Sequence, residues 1–513
     1  MSHVLRDLKK RLGDWPHDVI PHAFLLIWVV LFYNGLMNYE GSKGYYCVFS
    51  LSFLFLLISS CKKPPNYSYL FFSVFLWLGF WLKLTVHTIF RYAYQESIGL
   101  FQPQADSLDA VLLISTVGCL GILTARCLAP WVGLKSTLMI NTSNRDKTPY
   151  LYRKYRQYLW PILIASSLGL SLYNGILGVF QMGLIPKHYL IWPLNAAISW
   201  LLSIGLALGI STFLWWDIKE KKDITASMSY PLAEGFFSSI SIFSRSLYIC
   251  HVVPLLVALG INRQKTPRLI SKRGVWGIGG FAILLFLLSM QSVTLLRDYY
   301  YLGRAPDYLY EPPSTKMSFI LSGVNLSGVA NATVSTVSRL ILDRWVGTEG
   351  VMAVWAYPKK SSDLLNVALF EKAVIGQASV FQTITQSSYG EMDKKKFVFA
   401  TLPGPIAFLY YSGSLSIVFF GMFALTFLAM LCECVVAWLT HNFLLCALFG
   451  MDIAYLCAQL GVTPRLVVIH VFLILGYCLF VFLVSWKRKG LLEISKKIDT
   501  LFHSEKEGQN LRE

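Results

Sequence analysis

The feature that most constrains this chain is the length of its apolar runs, which gather into blocks of roughly 18 to 25 residues, the length a helix needs to span hydrocarbon. Inside a bilayer the backbone groups must be satisfied within the segment itself, so these blocks specify helices. The expected spans are 22–38, 44–60, 68–90, 108–129, 159–180, 189–214, 274–296, about 404–438, 443–461 and 466–485. The predicted fold class is all-α, a polytopic integral membrane bundle of about 10 to 12 transmembrane helices with one long, partly helical external loop.

The net charge of +17 could point to nucleic acid, but its placement argues for topology instead. Arg6, Lys9, Lys10, Arg11, Lys62, Lys63, the block from Arg126 to Arg156, Lys219, Lys221, Lys222, Arg263 to Arg273 and the tail from Lys487 all fall on one side of the predicted spans. The opposite short loops hold Lys43, Arg91, Lys187 and Arg465. By the positive-inside rule both termini are cytoplasmic, and no nucleic-acid partner is expected. The ten cysteines lie in or beside apolar spans, so no disulfide framework is expected. Cys432 and Cys434 lack the spacing and histidine partners of a zinc site. No small-residue cleavage site follows Leu36, so the first apolar run reads as an uncleaved span.

This gives a membrane bundle over 1–296, an external loop domain over 297–399, C-terminal spans over 400–486 and a cytoplasmic tail over 487–513. Within the first bundle, residues 231–262 are long for one crossing and short for two, contain Glu234, Arg245 and Pro254, and are flanked by basic residues on both sides. They read as a bent interfacial or re-entrant segment. In the loop, Val334, Val337, Leu340 and Ile341 recur at helical spacing and Gly347 and Gly350 follow, which predicts a helix over 331–346. A second short helix is expected over 363–373.

Three stretches carry candidate chemistry. WLKLTVHTIFR, residues 81–91, places Lys83, His87 and Arg91 within about 80° of one another and about 12 Å apart along a helix. Aligned cations in a span point to an anion site in the outer leaflet; the alternative is that Arg91 snorkels, His87 packs, and Lys83 is neutralised by Asp452 or Glu433. In the loop, Arg339 and Arg344 could grip phosphate oxygens in bidentate fashion, or Arg339 could simply pair with Asp343. Arg297 and Arg304 are either interfacial anchors or part of the same site. The third stretch, FATLPGPIAFLYYSGSLSIVFF from residue 399, begins with Pro403, Gly404 and Pro405 and cannot start as a regular helix. Together with Tyr410 and Tyr411 it forms either a cavity wall or an interfacial turn with an aromatic belt. Glu40, Glu96, Asp109, Asp343 and Glu349 are the acids expected on the outer side, each a possible base toward a hydroxyl. No nucleotide-binding, metalloprotease or serine-hydrolase motif is present, so no metal ligands and no cofactor are assigned.

Many spans, a long external loop carrying RLILDRWVGTEGVMAV at 339–354, and LPGPIAFLYYSGS leading into the last spans resemble the bacterial Wzy-type oligosaccharide repeat-unit polymerases, the O-antigen and exopolysaccharide polymerase class. The resemblance implies a metal-independent glycosyltransferase of the inner membrane that acts at its periplasmic face on undecaprenyl-pyrophosphate-linked glycans, in contact with membrane lipid and a chain-length regulator protein. Under that reading Arg339 and Arg344 act with Arg91, Lys83 and His87 on the pyrophosphates, and the base is one of Glu349, Asp343 and Glu96. A flippase for lipid-linked oligosaccharides and an O-antigen ligase are the alternatives.

Overall fold

A computed structural model describes residues 23–61, 66–91, 94, 96–132, 148–220, 224–262, 272–302, 345–372, 374, 377–386, 402–461 and 464–484. Among these the architecture is an all-α bundle, and eight helices are long and apolar enough to cross a membrane, as expected of a multi-pass membrane protein. They are α2 (Lys43–Cys61), α3 (Tyr67–Phe90), α4 (Ala105–Leu128), α5 (Tyr150–Leu177), α6 (Leu194–Lys219), α9 (Lys272–Leu302), α14 (Leu415–Thr440) and α16 (Pro464–Val484). Shorter apolar helices are α1 (Ala23–Asn38), α8 (Leu247–Ile261) and α15 (Phe443–Ala458). The remaining short helices are α7 (Ser229–Ser241), α10 (Thr348–Ala356), α11 (Ser362–Leu369), α12 (Val380–Thr385) and α13 (Pro405–Leu409).

The expected span at 443–461 is present as α15, an apolar helix shorter than the eight and buried along its length. α15 has 16 residues, about 24 Å at the helical rise, and buries Leu444 through Met451 without a break. A helix apolar on every side and buried on every side lies within protein, here against α3, α8 and α14. Its neighbour α3 is anchored from the same region: the Glu433 carboxylate on α14 accepts the backbone N–H groups of Tyr67 and Ser68 at 2.9 and 2.7 Å, while Asn66 Oδ1 accepts that of Tyr69 at 3.3 Å. An anion at a helix N-terminus meets otherwise unpaired donors and the positive end of the dipole, which explains how Glu433 is tolerated at full burial.

Residues 231–262 form an antiparallel helical hairpin, α7 and α8, turning at Phe243 (φ 56°). Gly235 brings α7 against Tyr248, His251 and Val252 of α8. Arg297 of α9 donates from Nε to the Phe243 carbonyl at 2.8 Å, which fastens the turn. The arms are largely buried, so the segment is an internal part of the bundle and not a surface-lying helix.

The described part of the predicted loop domain packs into the bundle. Trp345 to Ala356 enter the bundle and reach the middle of α3. The sequence TEGVMAVWA offers apolar residues all along α10, and burying Thr348 to Val354 removes them from solvent. α10 packs on α4, and Trp355 meets Phe101 edge to face at 5.9 Å. The expected helix over 331–346 falls mainly outside the described residues, and Trp345 and Val346 are not helical. The second expected helix is present as α11.

Candidate functional site

The site is built where the loop segment lies along α3. Trp345 stacks on Phe75 with ring centroids 4.6 Å apart, Gly347 meets Gly79, and Glu349 reaches Lys83. The segment therefore climbs α3 in the same direction as the chain, over about 12 Å from Phe75 to Lys83. Two glycines make this approach possible: a Cβ on Gly347 would strike the Gly79 backbone, and a Cβ on Gly79 would strike the Val346 carbonyl. Residues 77–82 are a π turn, and the Thr348 hydroxyl donates to the carbonyls of Gly79 and Phe80 within it at 3.2 and 3.4 Å. Such turns are rare and concentrate at functional positions.

Lys83 Nζ donates to Glu349 Oε1 at 2.7 Å and to the Trp345 carbonyl at 2.8 Å. Lys83 is 1% exposed and Glu349 3% exposed, so each charge is balanced by the other away from water. This revises the role expected of Lys83, because its cation is spent on the loop and does not face a lipid. Neither acid considered as its partner is used: Glu433 caps α3, and Asp452 lies 2.9 Å from His470.

The rest of the expected cationic stripe is also altered. His87 is buried and stacks on Tyr94 at 4.3 Å, nearly parallel. Arg91 ends α3 in the left-handed conformation (φ 52°), so its direction leaves the helical progression that aligned the three residues. His87 lies in the last turn of α3 and Arg91 at its end, with Arg91 exposed.

The irregular start at 402 meets the same segment. A Cβ on Gly350 would strike the Pro403 carbonyl, and Gly404, at φ 76°, lies against Val346. Pro405 then opens α13, a single short turn of helix, followed by a 3-10 turn at Tyr410–Ser412 and a second left-handed glycine, Gly413 (φ 73°). α14 starts only at Leu415, so the expected span at 404–438 is divided into a broken approach and a regular helix. Pro403 and Gly404 thus form a wall packed directly against the inserted loop. Tyr411 is buried at the same wall, and Lys360 lies over the Tyr410 ring at 5.9 Å. Lys360 donates to the carbonyls of Trp355 and Tyr357 at 2.6 Å each, and its partial burial lowers its pKa below the usual lysine range. Among the described residues the Trp345 indole N–H and the Tyr411 hydroxyl are buried without a hydrogen-bond partner.

Arg339, Asp343, Arg344 and Arg304 lie outside the described residues. Arg297 is held at the hairpin turn, and no described contact joins it to the Lys83 site. Asp109 is engaged structurally, accepting from Tyr39 Oη at 2.9 Å and from the Ser42 N–H at 3.0 Å. No group of metal-ligating side chains occurs among the described residues.

A second polar cluster was missed in the sequence. Glu234 of α7 lies 3.0 Å from His251 Nδ1 of α8, and His251 Nε2 contacts the Ser203 carbonyl at 2.7 Å. Ionisable residues within apolar stretches were the available signal, and Glu234 stood out, but its histidine is 17 residues away across a turn.

No protein-family model matches the sequence, and neither a curated protein nor a solved structure matches it. The functional reading therefore rests on the residues of the site.

Proposed function

We propose that this chain is a membrane glycosyltransferase that polymerises undecaprenyl-pyrophosphate-linked oligosaccharide repeat units at the periplasmic face of a bacterial inner membrane, in the synthesis of a surface polysaccharide. Both termini are then cytoplasmic and residues 297–399 belong to the periplasmic side. The observation that carries the reading is the convergence of three stretches that are far apart in sequence: the outer half of α3, the inserted loop at 345–356, and the broken backbone at Pro403 and Gly404.

In this reading Lys83 and Glu349 position the loop and do not touch the donor. Arg344 directly precedes Trp345 in the sequence, and Trp345 is fastened to α3 through its carbonyl. Arg339 and Arg344, with Arg91 and His87, take the pyrophosphate. The attacking sugar hydroxyl forms a new bond to the anomeric carbon while the bond from that carbon to the phosphate oxygen breaks. The electron pair leaves with the pyrophosphate, whose charge the guanidinium groups stabilise. The hydroxyl proton passes to Glu96 or Asp343. The unpartnered Trp345 N–H and Tyr411 hydroxyl are donors that suit sugar or phosphate oxygens.

A second reading is a flippase for lipid-linked oligosaccharides. The Glu234–His251 and Asp452–His470 pairs favour it, because acid–histidine pairs deep in a bundle are found along transport pathways. Substitution of Arg344 or Arg91 by Ala in cells lacking the native gene, with surface glycan displayed by length, separates the two. Retained one-unit chains with loss of longer ones support polymerisation. Loss of all surface glycan with lipid-linked units accumulating inside supports transport, and full-length polymer from both variants removes these residues from the site.

A further inference from the structure

The Glu234–His251 cluster is a built polar site that the polymerisation chemistry does not use. The Ser203 carbonyl can only accept a hydrogen bond, so His251 Nε2 at 2.7 Å carries a proton. That assigns the ring. Nδ1 then faces Glu234 Oε2 at 3.0 Å, a distance that requires one proton between them, whether it resides on the ring as imidazolium or on the carboxyl. The other carboxylate oxygen, Oε1, accepts from the Ser238 hydroxyl at 2.8 Å. Glu234 and His251 are 3% and 1% exposed.

We propose that Glu234 and His251 form a proton-binding site inside the bundle, in which one shared proton fastens the two arms of the α7–α8 hairpin to each other, while the Nε2 proton of His251 holds α8 to the π turn of α6. The three groups belong to three different elements: Glu234 to α7, His251 to α8, and Ser203 to the π turn at residues 201–205. With the proton present the pair is neutral overall. Without it a bare carboxylate faces the lone pair of a neutral imidazole, and an uncompensated charge is left at full burial, which is strongly unfavourable. Loss of the proton therefore favours separation of α7 from α8 or admission of water. The sign follows: the fastened state is complete at low pH and is lost as pH rises through the site's own titration.

The surrounding charged groups are mostly committed elsewhere. Asp452 on α15 acts electrostatically on His251 and is itself paired with His470 on α16. Tyr455 on α15 is hydrogen-bonded to Ser246 at 2.7 Å, Tyr248 on α8 donates to the Ala282 carbonyl of α9 at 2.9 Å, and Arg297 on α9 holds the turn. Asp217 on α6 is taken by Arg156 of α5, and Tyr230 on α7 packs on Trp160 of α5. Arg245 and Cys250 also belong to the hairpin segment and are engaged in contacts of their own.

The test uses the full-length chain in lipid nanodiscs. pH-difference infrared spectra are recorded over about pH 5 to 10, a range that brackets ordinary imidazole and approaches lysine. Deuterium uptake over 229–261, corrected for the intrinsic pH dependence of exchange, is followed in parallel. The expected result is a carboxyl–imidazole signal in the wild type that is lost in Glu234→Gln and in His251→Gln, with uptake over the hairpin rising across the same window. Ser238→Ala keeps both partners and removes one hydroxyl donor, so it shifts the midpoint without abolishing the signal. This variant decides the matter if the other two lose their fold. A wild-type spectrum with no titrating signal, a midpoint unmoved in Ser238→Ala, or hairpin exchange indifferent to pH would overturn the proposal.

Discussion

Lys83 Nζ and Glu349 Oε1 lie 2.7 Å apart, joining the middle of a membrane-length helix to a loop segment 266 residues further along the chain. Neither charge can be removed alone without stranding the other. Lys83→Met or Glu349→Gln alone should destabilise the docked segment by about 3–5 kcal/mol, the cost of an uncompensated buried charge. The double variant should recover much of that loss. A double-mutant cycle on the unfolding of the purified protein in detergent measures the coupling, and additive single losses would disprove the pairing.

The glycine contacts predict a graded series. Gly347→Ala and Gly350→Ala place a methyl group against backbone of α3 and of Pro403, which cannot move aside as a flexible side chain would. Both should undock α10 and expose the segment to protease. Gly277→Ala on α9 meets nothing within 4 Å and is the control, expected to digest as the wild type does. Equal digestion of all three would mean the loop does not rest on α3.

Glu433 offers a separate test of the helix-cap argument. Its two hydrogen bonds to the Tyr67 and Ser68 N–H groups are charge-assisted, and Glu433→Gln should cost about 1.5–3 kcal/mol. Glu433→Ala should cost more, because it leaves both donors buried and unpaired. Hydrogen exchange at the first turn of α3 reports the loss locally, and protection unchanged in both variants would contradict the cap.

What the sequence disclosed and what it concealed follow from the range of the interactions. The spans were legible because length and apolarity are local properties, and the broken start of the last spans was legible because Pro403, Gly404 and Pro405 forbid a regular helix whatever surrounds them. The partner of Lys83 was not legible: Glu433 and Asp452 lie in apolar stretches and were the obvious acids, whereas Glu349 lies in a stretch whose loop character hid its burial. Gly347 and Gly350 read as helix terminators, since sequence cannot distinguish a glycine that ends a helix from one that admits another backbone. His251 stayed unnoticed for a similar reason, because its carboxylate is brought to it by the hairpin turn.

The central claim is that the loop segment docked on α3 forms the site at which the glycan is lengthened. Its most direct test is the length distribution of surface glycan in cells carrying Lys83→Glu, Glu349→Lys, or both. Each single variant places two like charges at one buried position and should leave chains of one repeat unit. The exchanged pair should restore long chains at least in part. Full-length glycan from both single variants would contradict the account.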